Sequence, residues 1–209
     1  MINVDLKDPE KADKLFVNAY IDQNLKKEIN LDKPFKLSDQ WTSLLSVHAD
    51  DISMNIDTSS RSMLRIDEND DTFIDMPLVT NISILNKWKY DNHKGLRSWN
   101  TFKYLTEERK GGQTFFDFKR DFVDSNAYGQ NLNTNRFEFY GKTGYILPSA
   151  TYNSIGLQYS IINHRQNGFY GFKKYEGKQE NINLRLVYNR KINEHNSINS
   201  GLSYKYYQI

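Results

Sequence analysis

The feature that most constrains this chain is a rhythm of apolar/polar alternation, in segments of about ten residues joined by short turns at one end and longer polar stretches at the other. Side chains in a β-strand point alternately to opposite faces, so a sustained period of two selects strands with one apolar face. Residues 179–190 show it most clearly, with Ile182, Leu184, Leu186 and Tyr188 on one parity and Asn183, Arg185 and Asn189 on the other. The same rule aligns Trp41, Ser43, Leu45, Val47 and Ala49, and then Ile198, Ser200, Leu202, Tyr204 and Tyr206. Alternating segments with all the long connections at one end are the signature of an antiparallel up-and-down transmembrane β-barrel, with short periplasmic turns and long extracellular loops.

A mean hydropathy of −0.76 and 26% charged residues would suit a soluble domain. Fourteen Tyr, 12 Phe and 3 Trp point elsewhere, because they fall inside the alternating runs and exceed what a disordered polar chain carries. A barrel reconciles the two, since only one face of each strand, over its middle, has to be apolar. No stretch approaches the roughly 18 to 20 apolar residues of a membrane helix. Met1 to Lys7 provide neither the basic nor the apolar region of a signal peptide, so an exported protein is expected to begin upstream. Cysteine is absent, which excludes disulfides and thiolate metal sites, and a net charge of +2 gives no nucleic-acid footprint.

Nine strands are expected: Lys14–Asp22, Glu28–Leu37, Trp41–Ala49, Leu78–Tyr90, Leu96–Thr106, Asn135–Leu147, Thr151–His164, Gln179–Arg190 and Ser197–Gln208. Long loops are expected over residues 50–77, 107–134 and 165–178, all on the side of the connections after the odd strands. A soluble β-sandwich has no reason to collect them there. Trp41, Trp88, Tyr90, Tyr145 and Tyr206 lie near strand ends, as in the aromatic girdles of membrane proteins, although β-propensity alone accounts for them equally well.

Several blocks carry a more specific likeness. They are Ile2-Asn3-Val4-Asp5-Leu6; the acidic stretch Asp67 to Asp71 with its Phe73-x-Asp75-x-Pro77 ending; Asn86 to Tyr90; Arg109-Lys110-Gly111-Gly112-Gln113; and Asn135 to Tyr145. In order and spacing they resemble the TonB-dependent outer-membrane receptors of Bacteroidetes-type bacteria, specifically the first part of the barrel without the plug. The resemblance implies a connecting segment from plug to barrel over residues 1–13 and a partial barrel over 14–209. It implies a place in the cell outer membrane and energy-coupled uptake of a scarce nutrient such as a siderophore or cobalamin. The implied partners are membrane lipid, the plug and remaining strands, the TonB complex acting through the plug, and a small ligand. Arg109, Gly111, Gly112 and Gln113 are candidates for a ligand loop. With an odd number of strands, the 209 residues alone are expected neither to insert stably nor to transport. A passive porin, or a soluble β-rich surface module, would share the alternation.

Other motifs carry less. Asp67, Asn69, Asp71 and Asp75 space hard oxygen donors nearly as an EF-hand loop does, which makes calcium a candidate ligand. Thr72 stands where that loop needs glycine, and Leu78 stands where it needs glutamate. Gly141-Lys142-Thr143 mimics the end of a phosphate loop, but Arg136 occupies the required first glycine. His48, His93, His164 and His195 are scattered without zinc or triad spacing, and no enzyme is read. Arg136, Glu138 and Lys142 share one strand face, opposite Phe137 and Phe139, and are candidates to line a lumen.

Overall fold

The computed structural model describes residues 7–22, 26–52, 67, 69–118, 126–148 and 153–209. Nine strands run up and down in chain order: β1 (Phe16–Ile21), β2 (Lys27–Lys36), β3 (Trp41–Asp51), β4 (Leu78–Asp91), β5 (Leu96–Gly112), β6 (Gly129–Ile146), β7 (Ser154–Tyr170), β8 (Lys173–Lys191) and β9 (Ser197–Gln208). Each pairs antiparallel with the next, giving a single open sheet. The blocks at residues 2–6, parts of the first acidic loop and the second loop, and the turn beyond Pro148 lie outside the described residues.

The register carries the alternation from strand to strand. Directly opposed residues of an antiparallel pair share a face. Leu31, Val47, Ile84, Tyr104 and Phe137 are successive partners across β2 to β6, so all five stand on one side. Leu184 joins Tyr159 and Tyr204 on that same side in β7 to β9. The aligned sets read from the sequence in β3, β8 and β9 thus fall on one apolar face, and Arg136, Glu138 and Lys142 on the other.

No second sheet or helix among the described residues covers this apolar face. Among the described residues only Leu44 and Phe116 are buried hydrophobic side chains, whereas Ile84, Phe102, Phe137, Leu184 and Leu202 are all exposed. A soluble sandwich buries such a face against a second sheet.

The apolar residues form a band oblique to the strands. Ile29 is in register, through successive partners, with Lys178 of β8, yet the band in β8 begins at Ile182, four residues along. Trp41 is in register with Leu202 of β9, while the band there ends at Ile198, again four residues along. Each drift takes six strand steps, about 14 Å along by about 29 Å across, so strands and band normal differ by about 25°.

Polar side chains inside the band are tied together. Asn86 donates to Ser43 Oγ at 3.1 Å and accepts from the Trp88 indole. Asn100 donates to Ser98 Oγ at 3.0 Å, Ser98 and Thr143 hydroxyls lie 2.8 Å apart, and the Tyr159 hydroxyl donates to Asn100. Lys33 is the exception, a charge in register with Leu45, Asn86 and Phe102. At the turn end Trp41 packs on Trp88 and Tyr90, with ring centroids 6.1 and 4.6 Å apart.

Two of the three expected long loops are corrected. Residues 165–178 form a tight hairpin, because β7 and β8 pair as far as Tyr170 and Lys173. Gly171 at φ 56° supplies the positive dihedral that a two-residue turn needs. Gly168, within that stretch, is a close approach of strands: a Cβ there would lie 1.9 Å from the Asn131 carbonyl oxygen. The loop expected over 107–134 shrinks to 113–128, since β5 and β6 pair as far as Gly112 and Gly129. Those extra rungs carry Glu107, Glu108, Arg109 and Lys110 against Thr134, Asn133, Leu132 and Asn131, polar apart from Leu132, so the ladder continues where alternation has ended. Residues 52–77 and 113–128 remain the two longest connections and lie at the same end of the sheet.

Candidate functional site

The polar face is the candidate site, and it is assembled from alternate residues of every strand. Across the sheet one row reads Lys36, Thr42, Lys89, Trp99, Lys142, Gln158, Arg185 and Ser203. Toward the loop end the charges are balanced within the sheet. Arg136 Nε lies 2.8 Å and Lys103 Nζ 3.8 Å from Glu138 Oε1, so Arg136 and Glu138 come together as a cluster. Lys142, four residues beyond Glu138 along the strand, lies 5.0 Å over the Trp99 ring. His48 contacts Asn30 Oδ1 at 2.6 Å and Asp50 Oδ1 at 3.1 Å, on the same face.

The described residues before β1 sit on this face as well. Asp8 accepts backbone hydrogen bonds from Lys11 and Ala12 and closes one turn. From that turn Lys7 Nζ reaches Asp32 at 2.5 Å, Glu10 reaches Lys89 Nζ at 2.5 Å, and Lys87 Nζ donates to the Lys7 carbonyl at 3.0 Å. Asp32, Lys87 and Lys89 all belong to the polar face. Sequence reasoning missed this docking, because ion pairs 25 and 79 residues apart leave no periodic trace.

Among the described residues, the buried side-chain atoms without a hydrogen-bond partner are Thr42 Oγ1, Asn81 Oδ1 and His164 Nδ1. All three residues lie on the polar face by register. Such atoms ordinarily pair with protein groups or ordered water.

Three of the four ligand-loop candidates lie on a strand, and Gln113 opens the connection that follows it. Arg109, Gly111 and Gly112 occupy the last rungs of β5, and the Arg109 guanidinium is forked onto Glu107 with bonds of 2.7 and 3.0 Å. Gly112 has φ 129°, and a Cβ there would lie 2.5 Å from the Tyr128 carbonyl oxygen, so its role is a close strand exit. Gln113 bridges to Phe73, and its side-chain oxygen accepts from the Tyr128 amide at 2.6 Å. The first long loop is therefore stitched to the tip of β5.

The acidic quartet is engaged locally. Asp67 accepts from the amides of Asp71 (3.1 Å) and Thr72 (2.8 Å), Asn69 Oδ1 from Asp71 (3.0 Å), and Asp71 from Phe73 (2.8 Å). These bonds hold Asp70 at φ 57° and Thr72 at φ 73°, left-handed conformations that side-chain caps make accessible. Asp75 follows in the same loop. No three His, Cys, Asp or Glu side chains converge among the described residues. At the opposite end, the Lys36 ammonium, 2.8 Å away, holds the Asp39 carboxyl below the usual carboxylate range.

Comparison with protein-family models, curated proteins and solved structures finds no match.

Proposed function

We propose that this sheet is part of the β-barrel of a TonB-dependent outer-membrane receptor, serving energy-coupled uptake of a scarce nutrient. The observation that carries the membrane reading is the uncovered apolar band, continuous over nine strands and backed by a charged face. In lipid such a band needs no second layer, and the bonded Asn86 and Asn100 clusters answer the demand that polar groups there be satisfied internally. The oblique band is what tilted barrel strands produce. The polar face then looks into the lumen.

The docked segment before β1 favours a receptor over a passive porin. On the family reading, residues 1–13 connect plug to barrel, and such a connection has to leave the strands on the lumen side. The ion pairs of Lys7 and Glu10 support that geometry.

The chain has no cysteine, so single cysteines can report its topology cleanly. On intact cells of the source organism, a membrane-impermeant maleimide labels Phe172→Cys at the loop end and spares Lys94→Cys at the turn end. Equal labelling of both defeats the transmembrane reading. Loss of nutrient uptake on deleting this gene, but not on deleting TonB, defeats energy coupling while leaving the barrel.

A further inference from the structure

Strands β5 to β8 run well past the apolar band at the loop end, and the outward face changes character there. On the parity of Phe137 in β6 and Ile161 in β7, the next residues are Asn135, Asn133 and Asn131, and Asn163, Arg165 and Asn167. Five amides and a guanidinium thus fill two adjacent columns, on the side of the sheet that is apolar nearer the turn end. Above them Phe169 closes against Phe116, with ring centroids 6.0 Å apart.

Arg165 is the surplus charge on this surface. Glu108, Glu176 and Glu180 share the parity, against Lys110, Lys174, Lys178 and Arg165. Glu180 is held by Lys178 at 2.7 Å and Asn163 at 3.1 Å, and Glu108 by Lys110 at 2.9 Å and Asn131 at 3.2 Å. Arg165 and Asn167 are exposed and have no side-chain hydrogen bond or ion pair among the described residues. Arg165 also stands directly opposite Lys178 across β7 and β8. Like charges so placed destabilise a ladder, and an anion between them relieves it.

Height above the band selects the partner. Asn163, Arg165 and Asn167 lie two, four and six residues beyond Ile161, the last band residue of β7. Allowing for the inclination of about 25°, these are about 6, 12 and 18 Å above the band. A phospholipid headgroup layer is about 5 to 8 Å deep, so it ends near the first of them. The unengaged Arg165 and Asn167 stand higher, at the level of a taller headgroup. A guanidinium forks onto phosphate oxygens, and amides both donate to and accept from sugar hydroxyls. We infer that the outward face of β6 to β8 beyond the band binds the phosphorylated sugar headgroup of a glycolipid whose acyl chains lie on the band. The inference rests on the apolar band meeting lipid, as the proposed barrel has it, but not on energy coupling.

The test titrates the full chain, in neutral detergent, with a bis-phosphorylated diglucosamine lipid carrying a short core oligosaccharide, and counts adducts by native mass spectrometry. Saturable binding is expected, at least tenfold tighter than that of phosphatidylglycerol. Arg165→Ala combined with Asn167→Ala weakens it at least fivefold and, because both side chains are exposed, leaves the thermal midpoint in place. Stripping the phosphates from the probe weakens it to a similar degree. Lys142→Ala, on the polar face at the turn end, changes nothing. Unchanged binding by the double variant overturns the inference, as does equal weakening by Lys142→Ala. Phosphatidylglycerol that binds as tightly overturns the sugar assignment, and a phosphate-free probe that binds as tightly overturns the phosphate assignment. The core oligosaccharide without acyl chains, if it binds as tightly, replaces the glycolipid with a soluble saccharide. A chain that stays dispersed without detergent refutes the membrane reading whatever it binds. One that needs detergent and shows no preference refutes this inference alone.

Discussion

Moving one arginine from face to face separates a lipid-exposed band from a merely wet one. Leu184 stands on the apolar face of β8, paired with Tyr159 and Tyr204, and Ser160 stands on the polar face of β7, paired with Tyr140 and Asn183. Leu184 is 40% exposed, so arginine meets no packed core there. It lies two residues from the band limit at Ile182 and four from that at Tyr188, about 7 and about 14 Å along the strand. A charge on a barrel's lipid face costs about 2 to 4 kcal/mol at the midplane and falls to about 1 or less at the interfaces. At this depth about 2 kcal/mol is expected, plus about 0.5 for removing leucine from lipid. The sum, about 2.5 kcal/mol, is about sixtyfold in the folding equilibrium. Ser160→Arg faces water and stays within about 0.5 kcal/mol. Urea titrations of folding into phosphatidylcholine vesicles, read by tryptophan emission, measure both. If the two variants differ by less than about 0.5 kcal/mol, the apolar face does not meet lipid and the reasoning is wrong.

Other expectations concern single positions. Lys33→Leu removes the one charged side chain in the middle of the band and stabilises the vesicle-folded protein by about 1 to 3 kcal/mol; a loss of stability would show that Lys33 has a partner there. Gly168→Ala brings a Cβ to 1.9 Å from the Asn131 carbonyl oxygen unless the strands part, and so lowers the thermal midpoint, whereas Gly156→Ala does not; equal midpoints contradict the distinction between the two glycines. Asp67→Ala deprives two amides of their acceptor, so Asp71 and Thr72 exchange their hydrogens faster. If calcium slows that exchange in the unmodified protein, the acidic quartet is a metal site as well as a cap. Paired cysteines at Ala19 and Tyr204, on β1 and β9, should form no disulfide in the vesicle-folded protein; efficient bridging would mean that these nine strands close on themselves.

The nine strands are legible in the sequence wherever one face is apolar and the other polar. Ser197–Gln208 matches β9 to the residue, and the faces assigned in β3, β6 and β8 hold through the register. Legibility ends with the band. Beyond Thr106 and Asn135 both faces of β5 and β6 carry mostly polar side chains, so the ladder runs on with no hydrophobic period to betray it. Gly168 lies in the stretch expected as a loop, although it is a strand contact enforced by the Asn131 backbone. The cluster of Arg136 and Glu138 can be anticipated from parity, but not the gathering of cations at the turn end of that face. Arg97, Lys142, Arg185 and Lys205 come from four strands, and only the register brings them to one end of one face.

That register also bears on how the sheet is completed. In an up-and-down order all odd strands run the same way, so β1 and β9 are parallel to each other. Closing these nine on themselves would need a parallel ladder between a six-residue strand and a twelve-residue one. At most half of β9 could then be paired. The rest of its outward backbone groups would stay open, at a cost of several kcal/mol for each group left in lipid. An additional antiparallel strand beside β9 satisfies the whole edge, whose side chains are exposed along their full length. On the proposed reading the β9 edge is therefore a joint with further barrel strands, and the charged face continues past it around a wider lumen.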